Sequence, residues 1–190
     1  MVNKTLIILF FTAFTLSKFN ALAQSTTIYL VRHAEKLTVN PAERDPNLSD
    51  KGFQRAADLA KVLQKKKINT IYSTNYKRTL ATAMPLATYL QLAPVIYNVK
   101  DPSTIAIKAS QDNKGKTALI VGHSNTLIPV IKALNCSVPF EGLTDDDYDM
   151  LFKVVIDENG KANLTVTNYG EVHHTTDSKN KKVMTAPIMN

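Results

Sequence analysis

"TIYLVRHAEK", residues 27–36, decides the fold. Thr27 to Val31 is β-branched, aromatic and apolar without alternation, the pattern of a strand covered on both faces. Arg32 and His33 stand where that strand should stop. Either the strand has surfaced there and polar residues begin, or it delivers a cationic pair into a pocket for an anion.

Working outward, the chain alternates strand-like and helix-like segments. "LSDKGFQRAADLAKVLQKK" predicts a helix, with Ser49 as cap, Asp50 in the first turn and Phe53, Ala56, Ala57, Ala60 and Leu63 on one side. A short strand over Thr70 to Ser73 leads into a helix from Lys77 to Leu90, which Pro85 should kink or loosen. Pro94 to Asn98 reads as a brief strand, followed by a helix from Pro102 to Ser110. "KTALIVGH" is the clearest buried strand and "SNTLIPVIKAL" the helix after it. Met150 to Ile156 and Asn163 to Thr167 form a hairpin about "DENG". Four β-then-helix units followed by a hairpin predict an α/β fold. Three layers, α/β/α, would surround a mostly parallel sheet with an antiparallel C-terminal hairpin.

The N-terminus reads as a signal peptide over residues 1–23: Lys4, an apolar run from Leu6 to Leu16, then Ala21-Leu22-Ala23 before Gln24. Lys18 and Asn20 interrupt the run before the roughly 18 apolar residues that a membrane span needs. No stable membrane anchor is therefore expected after cleavage, and a secreted or periplasmic location is. Residues 24–170 form one domain and 171–190 a C-terminal tail. The net charge of +7 falls by two when Lys4 and Lys18 leave, a mild excess that fits an anionic small substrate and equally a feature for solubility alone. Lys65-Lys66-Lys67 and Lys181-Lys182 lack interleaved aromatic residues, so no nucleic-acid partner is expected. Cys136 is the sole cysteine, so the chain must be stable without an internal disulfide.

In sheets of this kind ligands gather beyond the carboxyl ends of the strands. One such end carries Arg32 and His33, a second leads to Arg78, and a third ends at Gly122 and His123, with Ser124 and Asn125 opening a helix. Two arginines and two histidines converging on one edge need a counter-anion, because unpaired buried charge is costly. A phosphate monoester dianion supplies it. Arginine matches phosphate oxygens, helix amides add positive potential, and a neutral imidazole is able to attack phosphorus.

"LVRHAEK" at 30–36, "DPNLSDKGFQRAADLA" at 45–60, "YSTNYKRTLATA" at 72–83 and "VGHSNT" at 121–126 together resemble the histidine phosphatase superfamily, which includes the cofactor-dependent phosphoglycerate mutases. The resemblance spans nearly all of the chain after the leader. It implies that His33 is the phosphorylated nucleophile, that Arg32, Arg78 and His123 hold the phosphoryl group, and that no metal or organic cofactor is required. It also implies a proton donor. Many members carry a Glu in the loop after the third strand, where Asp101 is the nearest match; others carry an Asp directly after the second histidine, where this chain has Ser124. Glu35, Glu141, Asp145 and Asp146 are other carboxyl groups to consider, and Ser124, Asn125 and Glu35 are candidate substrate contacts. The roles of Lys36, Arg44 and Arg55 stay open.

The expected activity is hydrolysis of a small phosphomonoester, with a phosphohistidine or phosphopeptide substrate as the other option. A non-catalytic phospholigand-binding protein of the same fold is the alternative. A serine hydrolase using Ser124 in "GHSNT", with Asp157 and His173 or His174, is a further one, though Thr126 replaces its final glycine. His33, Glu35 and His123 make a poor metal site beside two arginines.

Overall fold

The computed structural model describes residues 25–174, so residues 1–24 and 175–190 lie outside it. Six strands form one sheet: β1 (Thr26–Arg32), β2 (Ile68–Ser73), β3 (Val95–Ile96), β4 (Thr117–Gly122), β5 (Met150–Ile156) and β6 (Ala162–Asn168), in the order β3-β2-β4-β1-β5-β6. β1, β2, β3 and β4 are parallel; β5 runs antiparallel to β1, and β6 antiparallel to β5.

Helices cover both faces. α1 (Asp50–Leu63) and α2 (Lys77–Leu90) pack on one, where Tyr29, Val31, Leu119 and Val121 meet Leu59, Leu63, Ala83 and Leu86. α3 (Pro102–Asp112) and α4 (Ser124–Ala133) pack on the other, where Ile28, Leu30, Ala118 and Ile120 meet Ile105, Ala109, Leu127 and Ile131. β1 and β4 thus point alternate side chains into two cores, which is why neither shows a polar period. The expected three-layer α/β/α architecture and its C-terminal hairpin are present.

Several boundaries differ for physical reasons. β3 has two residues, both exposed, because it pairs on one side only. α2 runs continuously through Pro85. α1 buries Gly52, Arg55, Ala56, Leu59 and Leu63, and leaves Phe53 47% exposed. The helix is rotated toward the loop after β1, where Ser49 Oγ accepts from Gly52 N–H and Ser49 N–H donates to the Glu35 carbonyl. A Cβ at Gly52 would overlap that carbonyl, so glycine is what admits the close approach. The leader read over residues 1–23 lies outside the described residues, as do residues 175–190 of the tail. The chain just beyond Gly170 is not a free tail: Glu171, His173 and His174 bond to the domain.

This topology determines what meets at one edge. The register pairs Arg32 with Gly122 and Ser73 with Val121, so β1, β2 and β4 finish together. Leu151 lies opposite Val31 and Asn168 opposite Met150, so β5 begins and β6 ends at that same edge.

Candidate active site

His33 follows β1 and is buried, its N–H donating to the Gly122 carbonyl at 2.9 Å. Its ring Nδ1 lies 2.9 Å from the Ala34 carbonyl oxygen. A carbonyl only accepts, so Nδ1 carries the proton and Nε2 keeps its lone pair. Burial is the main cause that pushes this imidazole down to about 3, with the charges of Arg32, Arg78 and His123 adding to it against the Ala34 hydrogen bond. The ring is neutral at physiological pH, the form a nucleophile requires.

His123 lies beside it, ring centroids 5.4 Å apart and edge-on. Its Nδ1 is 3.5 Å from Arg78 Nη2, a donor, so Nδ1 accepts and Nε2–H points to Thr74 Oγ1 at 2.9 Å. Thr74 Oγ1 in turn contacts Thr79 Oγ1 at 2.9 Å. Burial first, then Arg78 and Arg32, push His123 down to about 4. An arriving dianion reverses that field and favours the protonated, donating form.

The two arginines are held alike. Arg32 donates through Nη1 to the carbonyls of Thr144, Asp145 and Asp147 at 2.7, 3.1 and 3.3 Å, and its guanidinium lies 4.0 Å from the Tyr148 ring centroid. Arg78 lies 4.6 Å from the Tyr76 ring centroid. Each meets a carboxylate toward solvent, Asp145 at 3.5 Å for Arg32 and Asp45 at 3.3 Å for Arg78. Both Nε atoms are buried and have no hydrogen-bond partner among the described residues. Both arginines lie close enough to His33 for their charges to act on its ring, and together with that lone-pair imidazole they suit an oxyanion.

Asp45 also accepts from Lys77 N–H at 3.0 Å and so ties the loop after β1 to the start of α2. Leu37 N–H closes the base of that loop on the Asn47 carbonyl at 2.9 Å. A cleft of about 230 Å³ lined by Leu37, Val39, Asp45 and Lys77 adjoins the loop. A larger one, about 750 Å³, lies at the opposite end of the sheet near Thr26, Gly115 and Gly160, away from the histidines.

Arg32, His33, Arg78 and His123 therefore meet at the sheet edge, and Ser124 and Asn125 open α4 beside them, half-buried and exposed. Asp101 has another job. It caps α3, accepting from the N–H groups of Ser103 and Thr104 and from both hydroxyls, and those bonds hold its carboxyl down to about 2. An exposed carboxylate so stabilised is a poor proton donor.

Glu35 is likewise bonded within the protein. Arg55 Nε donates to both its oxygens at 2.9 Å, and His173 Nδ1 lies 2.8 Å from Oε1. Burial alone would raise this carboxyl, but the bonds from Arg55 and His173 outweigh it and hold it low. Arg55, left open by the sequence, is thus tied to Glu35. The serine-hydrolase triad is not assembled: His173 bonds Glu35, His174 bonds Asp149, and Asp157 accepts from Asn159 and Lys161 in the β5–β6 turn. Tyr148, Tyr76, Thr74 and Asp45 are site neighbours the sequence reading missed; only "STNYKR" and "DPNLS" hinted at the last three.

Known proteins resemble this chain in sequence over part of its length and in fold over most of it. Residues 28–99 match the histidine phosphatase superfamily (branch 1). A segment of 65 residues is 42% identical to phosphoserine phosphatase 1 of Hydrogenobacter thermophilus, covering 32% of this chain and 30% of that relative's length. Solved structures share the fold at low identity. The protein histidine phosphatase SixA complexed with tungstate aligns with TM-score 0.59 and 16% identity, over 75% of this chain and 96% of its own. Phosphoserine phosphatase of Entamoeba histolytica in complex with 3-phosphoglyceric acid aligns with TM-score 0.53 and 15% identity, over 77% and 98%. Phosphoglycerate mutase of Bacillus anthracis aligns with TM-score 0.57 and 16% identity, over 77% and 94%. The sequence match to the histidine phosphatase superfamily (branch 1) thus runs from β1 through β3, and the whole sheet shares its fold with these solved structures.

Proposed function

We propose that the protein is an exported phosphomonoesterase that hydrolyses small phosphate esters through a phosphohistidine on His33. The observation that carries this reading is the His33 ring, with Nδ1–H committed to the Ala34 carbonyl and Nε2 free to attack. Nε2 forms a bond to phosphorus as the ester P–O bond breaks, and the alcohol leaves with its electron pair. Arg32, Arg78, His123 and the α4 N-terminus stabilise charge on the phosphoryl oxygens. Water then attacks the phosphohistidine, releasing inorganic phosphate and restoring the imidazole. With Asp101 and Glu35 both engaged elsewhere, the leaving oxygen takes its proton from solvent or from a rim carboxyl such as Asp145, which favours leaving groups of low pKa.

The relatives act on or bind phosphoserine and 3-phosphoglycerate by name, and small phosphorylated metabolites of that size are the substrates to try first. Export is supported by the three-part pattern of residues 1–23. The same lack of a committed acid is what favours the second reading, a phospholigand-binding protein without turnover. Phosphate release from p-nitrophenyl phosphate and from phosphoserine by the purified protein, without added metal, separates the two. Turnover supports the phosphatase; tight phosphate binding with no turnover on any ester supports the binding protein.

A further inference from the structure

Past β6 the chain turns back over the sheet edge and docks. Arg55 Nη1 and Nη2 bond the carbonyls of Tyr169 and Glu171 at 3.0 and 2.9 Å. His173 Nδ1 meets Glu35 at 2.8 Å, and His174 Nδ1 meets Asp149 at 2.6 Å. Asp149 is fully buried and also accepts from His173 N–H at 3.1 Å and from Asn168 Nδ2 at 3.0 Å. Undocking residues 171–174 would strip partners from two buried carboxylates, so the contact is compelled rather than incidental.

Between this segment and the phosphate cradle stands Tyr148. Its N–H donates to the His173 carbonyl at 3.0 Å, and its ring centroid is 5.1 Å from that of His173. The same residue serves Arg32, whose guanidinium is 4.0 Å from the ring centroid and whose Nη2 donates to the hydroxyl at 3.3 Å. The Tyr148 ring is also 6.1 Å from that of His33. The neighbouring carbonyls of residues 144, 145 and 147 take Arg32 Nη1. Arg32 is therefore aimed by a loop that the C-terminal segment holds down.

We propose that Tyr148 is a positioning residue for Arg32, and that residues 171–174 are a strap which, through His173, sets the oxyanion affinity of the cradle. The turnover part of this inference rests on the phosphatase reading; the binding part does not.

The test is calorimetric titration of inorganic phosphate into the purified protein, with p-nitrophenyl phosphate kinetics and melting temperature measured beside it. His173→Ala and Tyr148→Leu should weaken phosphate binding about fivefold and raise KM by a similar factor with a smaller change in kcat, the size expected for losing one cation–π contact. His173→Asn, which keeps a donor near Nδ1, should restore binding to within about twofold, and the double variant should be no weaker than Tyr148→Leu alone. Because linkage is reciprocal, phosphate added to the wild type should also slow amide exchange at Tyr148 and His173, a readout needing no variant. Unchanged phosphate affinity in folded His173→Ala, additive losses in the double variant, or unchanged exchange at both amides overturns the strap. Phosphate binding with that exchange response but no turnover overturns the phosphatase reading and leaves the strap standing.

Discussion

Arg55, midway along α1, grips Glu35, two residues beyond the imidazole of His33, with Nε 2.9 Å from both carboxylate oxygens and Nη2 2.8 Å from one. Both side chains are more than nine-tenths buried, so the pair fixes the loop after β1 to the helix that follows it.

Removing one partner strands a buried charge. Arg55→Ala should cost about 3 kcal/mol or more, and should lower activity further because the segment carrying Glu171 loses its anchor. Denaturant unfolding with parallel p-nitrophenyl phosphate assays checks this; a loss under about 1 kcal/mol would show that the pair adds little to stability.

Gly52 lies against the Glu35 carbonyl with no room for a Cβ. Gly52→Ala should push α1 from the loop and cost about 2 kcal/mol, in the range for overpacking, despite alanine's better helix propensity. Thermal unfolding reads the sign directly. A gain in melting temperature would mean that the approach relaxes freely.

Asp101 is a helix cap with its carboxyl held to about 2. Asp101→Asn should therefore leave kcat and the basic limb of the pH profile unchanged, while Asp101→Ala lowers only the melting temperature. A large fall in kcat with Asp101→Asn would restore it as the proton donor.

His33 and His123 are held at about 3 and about 4, from an ordinary 6.5, chiefly by burial. Between those values the unfolded chain takes up protons that the folded chain refuses. Stability should thus fall as pH drops below about 6.5 and level off near about 3. Phosphate should oppose this by favouring the protonated form of His123. Melting temperature against pH, with and without phosphate, measures both effects; a His33→Asn/His123→Asn double variant should flatten the curve.

Local residue patterns made much of this visible before any coordinates. β1 and β4 declared themselves by apolar runs with no polar period, and Arg32, His33 and His123 by standing where those runs end. Ser49 and the Lys77–Leu90 helix were equally legible because caps and periodicity are local signals. What escaped notice depends on long-range pairing. Nothing near Arg32 foretells that carbonyls 144, 145 and 147 would take its Nη1, nor does Arg55 announce a partner in Glu35 on the preceding loop. Apolar spacing puts Phe53 on one side of α1 with Ala56 and Leu63, yet the face turned inward is the one carrying Gly52 and Arg55. "DPST" serves a helix cap and a loop acid equally well as a string; only its hydrogen bonds distinguish them.

The central claim is that phosphorus is transferred to His33. The direct measurement is rapid acid-free quenching of the purified protein with ³²P-labelled substrate, followed by testing the trapped label for alkali-stable, acid-labile linkage. Such a label is expected in the wild type and in Ser124→Ala, and none in His33→Ala. Label retained in His33→Ala, or an acid-stable label lost in Ser124→Ala, would contradict it.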